Sequence, residues 1–466
     1  MDSKKRKHRT LPNGWARATI PELISKGGVF VDGDWVETKD QDPEGNVRLI
    51  QLADIGDGVF RNRSSRFLTK DRAEDLKCTF LLEGDVLIAR MPDPIGRACI
   101  FPLKGENRFV TVVDVAVVRP GQGSVSNKYL KYTINSPDVR REIESLQSGT
   151  TRKRISRGNL ATVKLPIPPL NEQQRIADSV EALFSELDNG IEQLTMAQKQ
   201  LKVYRQAVLK WAFEGKLTND NVVDGELPSG WAWKQLQTIT SVLGDGLHGT
   251  PAYSANGDFY FINGNNLSDG KIILKEGTKR VTRVEYEKYK KELNENTILV
   301  SINGTLGNTA FYNNEKVILG KSACYFSVTS EVDKHYVRYL LTGQRFLSYA
   351  DNTATGSTIQ NVSLKSMREF QIPVPPTIKE QQAIVREIES RLSVCDKLEE
   401  TITANLLQAE SLRQSILKKA FEGKLVPQDP NNPPASELLE KIQGQKNGIR
   451  ELKSAASRTA AKLHAV

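Results

Sequence analysis

The sequence predicts an α+β protein: two mostly-β globular domains alternating with two long helices that pair as an antiparallel coiled coil, with an internal pseudo-two-fold. Three observations predict it. The peptide FEGKL stands at 213–217 and again at 421–425. A heptad pattern of apolar residues leads into each copy. Between them lie Val-, Ile- and Thr-rich alternating runs broken by Gly, Pro and Asn, the mark of short strands. Repeats of about 20–50 residues make solenoids. A spacing of 208 positions makes the repeated unit a whole domain plus a helix.

In chain order, residues 1–10 (MDSKKRKHRT) form a basic arm. No apolar stretch follows it, so it is not a secretory signal; it reads as a disordered tail or a DNA-contacting arm. The first globular domain covers 11–170 and the second 219–378. LPNGW at 11–15 answers LPSGW at 227–231, and LLEGDVLIA at 81–89 answers LNENTILVS at 293–301. SGTTRKRIS at 148–156 answers TGSTIQNVS at 355–363. LPIPPLNEQQRI at 165–176 answers IPVPPTIKEQQAI at 372–384. Offsets drift between 207 and 216, as small loop insertions after a gene duplication would produce. The domain ends match while the stretch within 15–147 does not, so the copies share a scaffold and differ in surface. VTVVDVAVV (110–118) and TILVSI (297–302) are strand candidates, and a helix is expected around Val337–Ala350.

The long helices cover 171–218 and 379–426. Pro168–Pro169 and Pro375–Pro376 mark their entries, because proline is tolerated only in the first turn. Val180, Leu187, Leu194, Leu201 and Val208 recur every seventh residue, joined by Ile176, Leu183, Ala197 and Tyr204. Ile388, Cys395, Ile402, Ala409 and Ile416 repeat the series, joined by Ile384, Leu398 and Leu412. Gly215 and Gly423 stand where a C-terminal cap belongs. Helices of about 45 residues are rods of about 65 Å. Gly190, Arg391 and Asn405 would spoil a long homodimeric seam, so each helix is assigned the other as partner. A parallel coil and separate dimers are the alternatives. The tail, 427–466, should return near Leu11, because only about ten residues separate the first FEGKL from LPSGW, which makes the chain quasi-circular.

Net charge is +9, and it is uneven: residues 1–170 hold 29 Lys and Arg against 21 Asp and Glu, whereas 219–378 hold 16 of each. A basic surplus suits an anionic partner, nucleic acid first. Cys78, Cys99, Cys324 and Cys395 form no CxxC pair, which argues against zinc and disulfides and suits a reducing cytoplasm. No apolar run is long enough to span a membrane.

The chemical motifs are thin. GDGLHG at 244–249 has the letters of a dinucleotide loop, but Pro251 follows and no βαβ unit surrounds it. It reads as a polar loop offering Asp245, His248 and Thr250. NPPA at 432–435 resembles the adenine methyltransferase signature, yet Ala435 stands where a stacking aromatic is needed; the flanks read as a linker entering a short helix. There is no Walker loop, no nuclease cluster and no paired histidine among His8, His248, His335 and His464. What remains is binding: RNRSSR (61–66), KRVTRVEYEKYKK (279–291) and the two end-of-domain turns.

Taken together, the paired proline entries, the RQAVLKWAFEGKL and RQSILKKAFEGKL exits, LPNGW and LPSGW, and the two turns resemble the DNA specificity subunits of Type I restriction–modification systems. The resemblance spans about 11–430. It implies two target-recognition domains, each reading half of a bipartite target; the pseudo-two-fold is expected to place both on one DNA face about one turn (~34 Å) apart. The helices would act as a spacer ruler and dock two methyltransferase subunits; two motor–nuclease subunits would join for restriction. S-adenosylmethionine, ATP and magnesium would belong to those partners, with no cofactor, metal or catalytic residue in this cytoplasmic chain. Candidate DNA contacts are Arg61, Arg63, Arg66, Arg90, Thr150, Arg152, Lys153 and Arg154 in the first domain. In the second they are His248, Thr250, Asn263, Asn265, Asn303, Ser357, Thr358 and Gln360. Arginine suits phosphate and guanine; hydroxyls and amides suit phosphate oxygens and base edges. The alternative is a duplicated protein-binding adaptor without DNA readout.

Overall fold

The computed structural model describes residues 10–92, 94–150, 152–356 and 360–448. It contains two compact units, Met1–Glu192 with Asn405–Val466, and Gln193–Ala404. The division falls inside both long helices, Leu170–Phe213 and Ile378–Phe421.

The first unit holds an antiparallel four-stranded sheet in the order Val29–Asp32, Val115–Arg119, Val86–Ala89, Ala98–Ile100. A three-stranded sheet sets Val47–Ile50 between Arg66–Leu68, antiparallel, and Phe109–Thr111, parallel. Ala16–Ala18 pairs with Leu165–Ile167, tying the domain's entrance to its exit. The run expected as one strand, VTVVDVAVV, is divided. Phe109–Thr111 serves one sheet and Val115–Arg119 the other, with a turn at Val112–Val115 closed by a 3.0 Å bond. Both halves are rich in β-branched apolar residues, so the local composition hides the break at Asp114.

The second unit repeats this plan. Its four-stranded sheet runs Thr240–Asp245, Ala323–Val328, Thr297–Ser301, Thr309–Phe311. Phe259–Ile262 lies between Arg280–Val281, antiparallel, and Val317–Leu319, parallel. Ala232–Gln235 pairs with Gln371–Val374. The helix expected around Val337–Ala350 is two helices, Lys334–Thr342 and Gln344–Thr353, parted at Gly343, whose extended backbone serves as the second N-cap.

The repeated letters have structural roles. Trp15 Nε1–H donates to Glu172 Oε1 at 3.1 Å, and Trp231 Nε1–H to Glu380 Oε1 at 2.8 Å. Gln173 Oε1 accepts Ser126 N–H at 3.0 Å, while Gln381 Oε1 accepts Asp333 N–H at 2.8 Å. The buried phenols of Tyr129 and Tyr336 donate to Pro166 O and Pro373 O at 2.8 and 2.7 Å. Thus LP-x-GW and EQQ lock each domain onto a helix entry, where unpaired buried polar groups would each cost about 1–3 kcal/mol. Gly215 (φ +79°) and Gly423 (φ +68°) end the helices. A Cβ on either would meet Pro228 Cγ at 2.2 Å or Pro12 Cγ at 2.4 Å, so both backbone and space require glycine. In the first unit this brings 421–425 onto LPNGW, and Ala435 N–H donates to Gly14 O at 2.7 Å. The tail therefore returns to the start of the chain, as the repeat implies. NPPA leads into the helix at 435–448, with Ala435 and Ile442 buried.

Within each unit the helix segments run in opposite directions. In the first, Ile176 and Val180 share a core with Ile416, Leu417 and Ala420; in the second, Leu209 and Phe213 share one with Ile384 and Ile388. One seam column is as expected: Val180, Val208, Ile388, Cys395, Ile402, Ala409 and Ile416 are buried. The companion column holds near the helix entries, where Ile176 and Ile384 are buried, and is displaced farther along. Tyr204, Leu398 and Leu412 are 39%, 47% and 48% exposed. The inward positions lie one residue later: Phe184, Ile191, Gln198, Arg205 and Ala212 on one helix, Leu392, Glu399, Leu406, Arg413 and Ala420 on the other. Charges take seam positions because they find partners. Arg205 Nη2 lies 2.6 Å from Asp396 Oδ1 and 3.0 Å from Glu399 Oε2. Arg413 repeats the pairing with Asp188 and lies over the Phe184 ring at 4.5 Å.

Candidate nucleic-acid interface

Arg61, Arg63 and Arg66 are exposed in the first unit. Their loop is shaped from beneath by Asp54, which is fully buried and accepts N–H groups from Gln51 (2.8 Å), Arg63 (2.5 Å) and Ser64 (2.8 Å). Burial works against its charged form, but hydrogen bonds from Ser64, Gln51 and Arg63 outweigh that and hold the carboxyl below the usual range. Arg48 Nη2 lies 3.7 Å from the same carboxylate, and Arg48 Nη1–H donates to Asn62 Oδ1 at 2.7 Å.

The turn SGTTRKRIS closes as a small loop. Ser148 and Arg154 exchange backbone bonds of 2.8 and 2.9 Å, leaving Thr150, Arg152, Lys153 and Arg154 exposed. Arg90 is a correction. It is 8% exposed, with Nη1–H donating to Ile155 O at 3.3 Å, Nη2–H to Val113 O, and Nε 3.3 Å from Asp32 Oδ1. Its guanidinium is consumed by the scaffold. Since Ile155 N–H also donates to Arg90 O at 2.9 Å, Arg90 anchors the turn from inside.

The second unit gathers several candidates on one rim. Thr355 and Asn361 exchange bonds of 3.0 Å, the counterpart of the Ser148–Arg154 closure. Asn303 Nδ2–H donates to Asn361 Oδ1 at 3.1 Å, and Gly304 N–H to Gln360 O at 3.1 Å. Ser322 Oγ–H donates to Asn263 Oδ1 at 3.1 Å, while Ile302 N–H reaches Ser322 O at 3.1 Å, linking Asn263 to the same strand end. Asn265 is exposed beside it. His248 and Thr250 are exposed on the loop after Thr240–Asp245, and His248 Nε2 lies 2.6 Å from Asp245 Oδ2. Leu247 N–H on that loop donates to Leu319 O at 2.7 Å, and the ideal Cβ position at neighbouring Gly320 is 2.1 Å from Asn263 Oδ1. The loop therefore joins the rim. Ser357 and Thr358 lie outside the described residues. The basic run 279–291 falls on Arg280–Val281 and the helix Arg283–Tyr289. Phe259 and Tyr286 stack there at 4.2 Å, with Arg280 over Tyr260 at 5.3 Å and Lys316 over Phe259 at 5.8 Å. The rings fix the cations at the surface.

Among the described residues no group of His, Cys, Asp or Glu is placed to hold a metal, and no helix is long and apolar enough to cross a membrane. The Type I restriction modification DNA specificity domain matches twice, over residues 12–195 and 228–408. The chain belongs to that family. The StySPI specificity subunit of Salmonella potsdam is 27% identical over 461 residues, 94% of this chain and 96% of that protein. The EcoKI specificity subunit of Escherichia coli K12 is 25% identical over 471 residues, with the same coverage of 94% and 96%. The fold is shared with the HsdS subunit of Thermoanaerobacter tengcongensis (TM-score 0.60, 18% identity, 90% of this chain and 99% of that one). It is also shared with a chain of a type I R-M system (TM-score 0.66, 19% identity, 90% and 100%).

In this specificity-family chain each matched segment carries one strand-end turn and one loop beyond a central strand. Two residues of this architecture escaped the sequence: Asp54 and its counterpart Asn266. Their letters are ordinary for a turn, and only the partners, residues 61–64 and 273, give them meaning. The recurring polar third position of a short turn after a strand was the available signal.

Proposed function

We propose that this chain selects the target of a Type I restriction–modification complex, each unit reading one half of a bipartite double-stranded DNA sequence. The observation that carries this reading is one scaffold bearing two unlike sets of exposed loops. The first presents Arg61, Arg63, Arg66, Arg152, Lys153 and Arg154; the second presents asparagines, His248 and Thr250. Arginines bind phosphate and guanine, whereas amides match adenine edges, so unlike half-sites follow from unlike loops. The long helices set the spacer and dock two methyltransferase subunits, and two motor–nuclease subunits complete the complex in the cytoplasm. The chain itself catalyses nothing; S-adenosylmethionine, ATP and magnesium are used by the partners.

Modified-base sequencing of host DNA with and without the gene is the test. A methylated bipartite motif should vanish without the gene. Replacing 11–170 by a relative's domain should change one half of that motif. A swap that altered both halves, or neither, would sink the modular reading. DNA binding by the complex should also weaken steeply with salt, as phosphate neutralisation requires.

A further inference from the structure

We propose that Asp54 and Asn266 are positioning residues that set the backbone beside the candidate DNA contacts, Arg61 and Arg63 in one unit and Asn263 and Asn265 in the other, an inference that rests on the function proposed above. Each closes a 3-10 turn after a central strand: Leu52–Asp54 follows Val47–Ile50, and Gly264–Asn266 follows Phe259–Ile262. Each turns its side chain back onto the residue that precedes the turn. Gln51 N–H donates to Asp54 Oδ2 at 2.8 Å, and Asn263 N–H to Asn266 Oδ1 at 3.0 Å. Each main-chain carbonyl accepts from the returning chain: Arg61 N–H reaches Asp54 O at 2.7 Å, and Ile273 N–H reaches Asn266 O at 2.7 Å. Both side chains are buried, Asp54 fully and Asn266 to 8% exposure.

From there the chemistry diverges. A carboxylate only accepts, so the chain facing the free oxygen of Asp54 must offer N–H groups. Arg63 and Ser64 do so, at 2.5 and 2.8 Å. With those amides turned inward, Arg61, Asn62 and Arg63 are exposed, and Asn62 takes φ +52°. A carboxamide also donates, so Asn266 Nδ2–H binds Ile273 O at 3.0 Å, and the chain there offers a carbonyl instead. One slot thus holds two loops of opposite backbone polarity, and the acid-or-amide choice selects which loop folds.

Asp54→Asn and Asn266→Asp, each made in the full chain and assembled with its methyltransferase subunits, test this. Asparagine at 54 sets an N–H against at least one N–H; aspartate at 266 sets an oxygen against Ile273 O. Modified-base sequencing should find that Asp54→Asn lowers base discrimination in one half of the target by about tenfold or more, leaving the other half intact. Asn266→Asp should do the reverse. Wild-type preference in both halves for either assembled variant, or equal loss in both, overturns the proposal. Hydrogen exchange on the unaltered complex gives a reading independent of variant folding. The Arg63 and Ser64 amides should be strongly protected without DNA, and exchange at unfolded rates overturns the proposal. A wild-type chain that directs no methylation would remove the parent reading instead, a result seen before either variant is made.

Discussion

Asp34 lies beside Cys78 and accepts Thr79 N–H at 3.0 Å. Burial pushes its carboxyl up to about 6, against the opposing Thr79 bond. The folded protein therefore holds this proton between about pH 4 and 6 while the unfolded chain has released it, so stability falls as pH rises through that window. Asp34→Asn is neutral throughout. Its melting temperature relative to wild type should rise from pH 4 to pH 7, and a constant difference would show that Asp34 does not titrate there. Arg90 and Arg152 make a second residue-scale contrast. Arg90→Ala strips donors from the Ile155 and Val113 carbonyls and should cost about 2–3 kcal/mol in denaturant unfolding. Arg152→Ala is a surface change, expected within about 0.5 kcal/mol, yet it should reduce the salt slope of DNA binding by about one. Equal stability losses would mean that Arg152 is also part of the scaffold. The sequence exposed the arginine-rich turns correctly, since charge in a Gly/Ser/Thr stretch goes to solvent. It misplaced Arg90, because nothing local distinguishes an arginine whose partners, Asp32, Val113 and Ile155, arrive from three distant segments.

Helix ends were legible because proline and glycine punctuate the chain by their own stereochemistry. The seam was half legible. Its first column is uniformly small or apolar, and periodicity finds that. Its companion contains Arg205, Gln198, Glu399 and Arg413, so a search for apolar letters settles one residue early, on Tyr204, Leu398 and Leu412. Paired charges occupy the inward face and spare leucines face outward, the opposite of what composition favours. The two registers predict different energetics. Ile402→Ala should cost about 2–4 kcal/mol, because the buried side chain leaves a cavity. Leu398→Ala, at 47% exposure, should cost less than about 1 kcal/mol. The reverse order in denaturant titrations would restore the register read from the sequence. The divided strand at Asp114 has the same origin: β-branched apolar residues stand on both sides of the turn, so composition cannot mark where one sheet hands over to another.

At the scale of the whole molecule, the duplicated unit supplies its own test of length. On the proposed reading the long helices set the gap between half-sites, and a helix rises about 1.5 Å per residue. Seven residues preserve the seam and add about 10 Å, the length of about three base pairs. Three base pairs also turn DNA by about 100°, since a full turn takes about 10–10.5. One heptad inserted into each helix, between 192 and 193 and between 404 and 405, should therefore impair recognition of any target, because distance and facing cannot both be met. Three heptads in each add about 31 Å, close to nine base pairs and nearly a full turn, so both conditions are again approached. The three-heptad chain should regain methylation on a target whose halves are unchanged and whose gap is longer by about nine or ten base pairs. Inserting into one helix alone should fail, because the two helices would then differ by seven residues and the pairs Arg205–Asp396 and Arg413–Asp188 could not both be kept along one seam. Methylome sequencing reads all three outcomes. A three-heptad chain that still methylates the original gap would leave the helices as docking surfaces only, with the spacer set elsewhere in the complex.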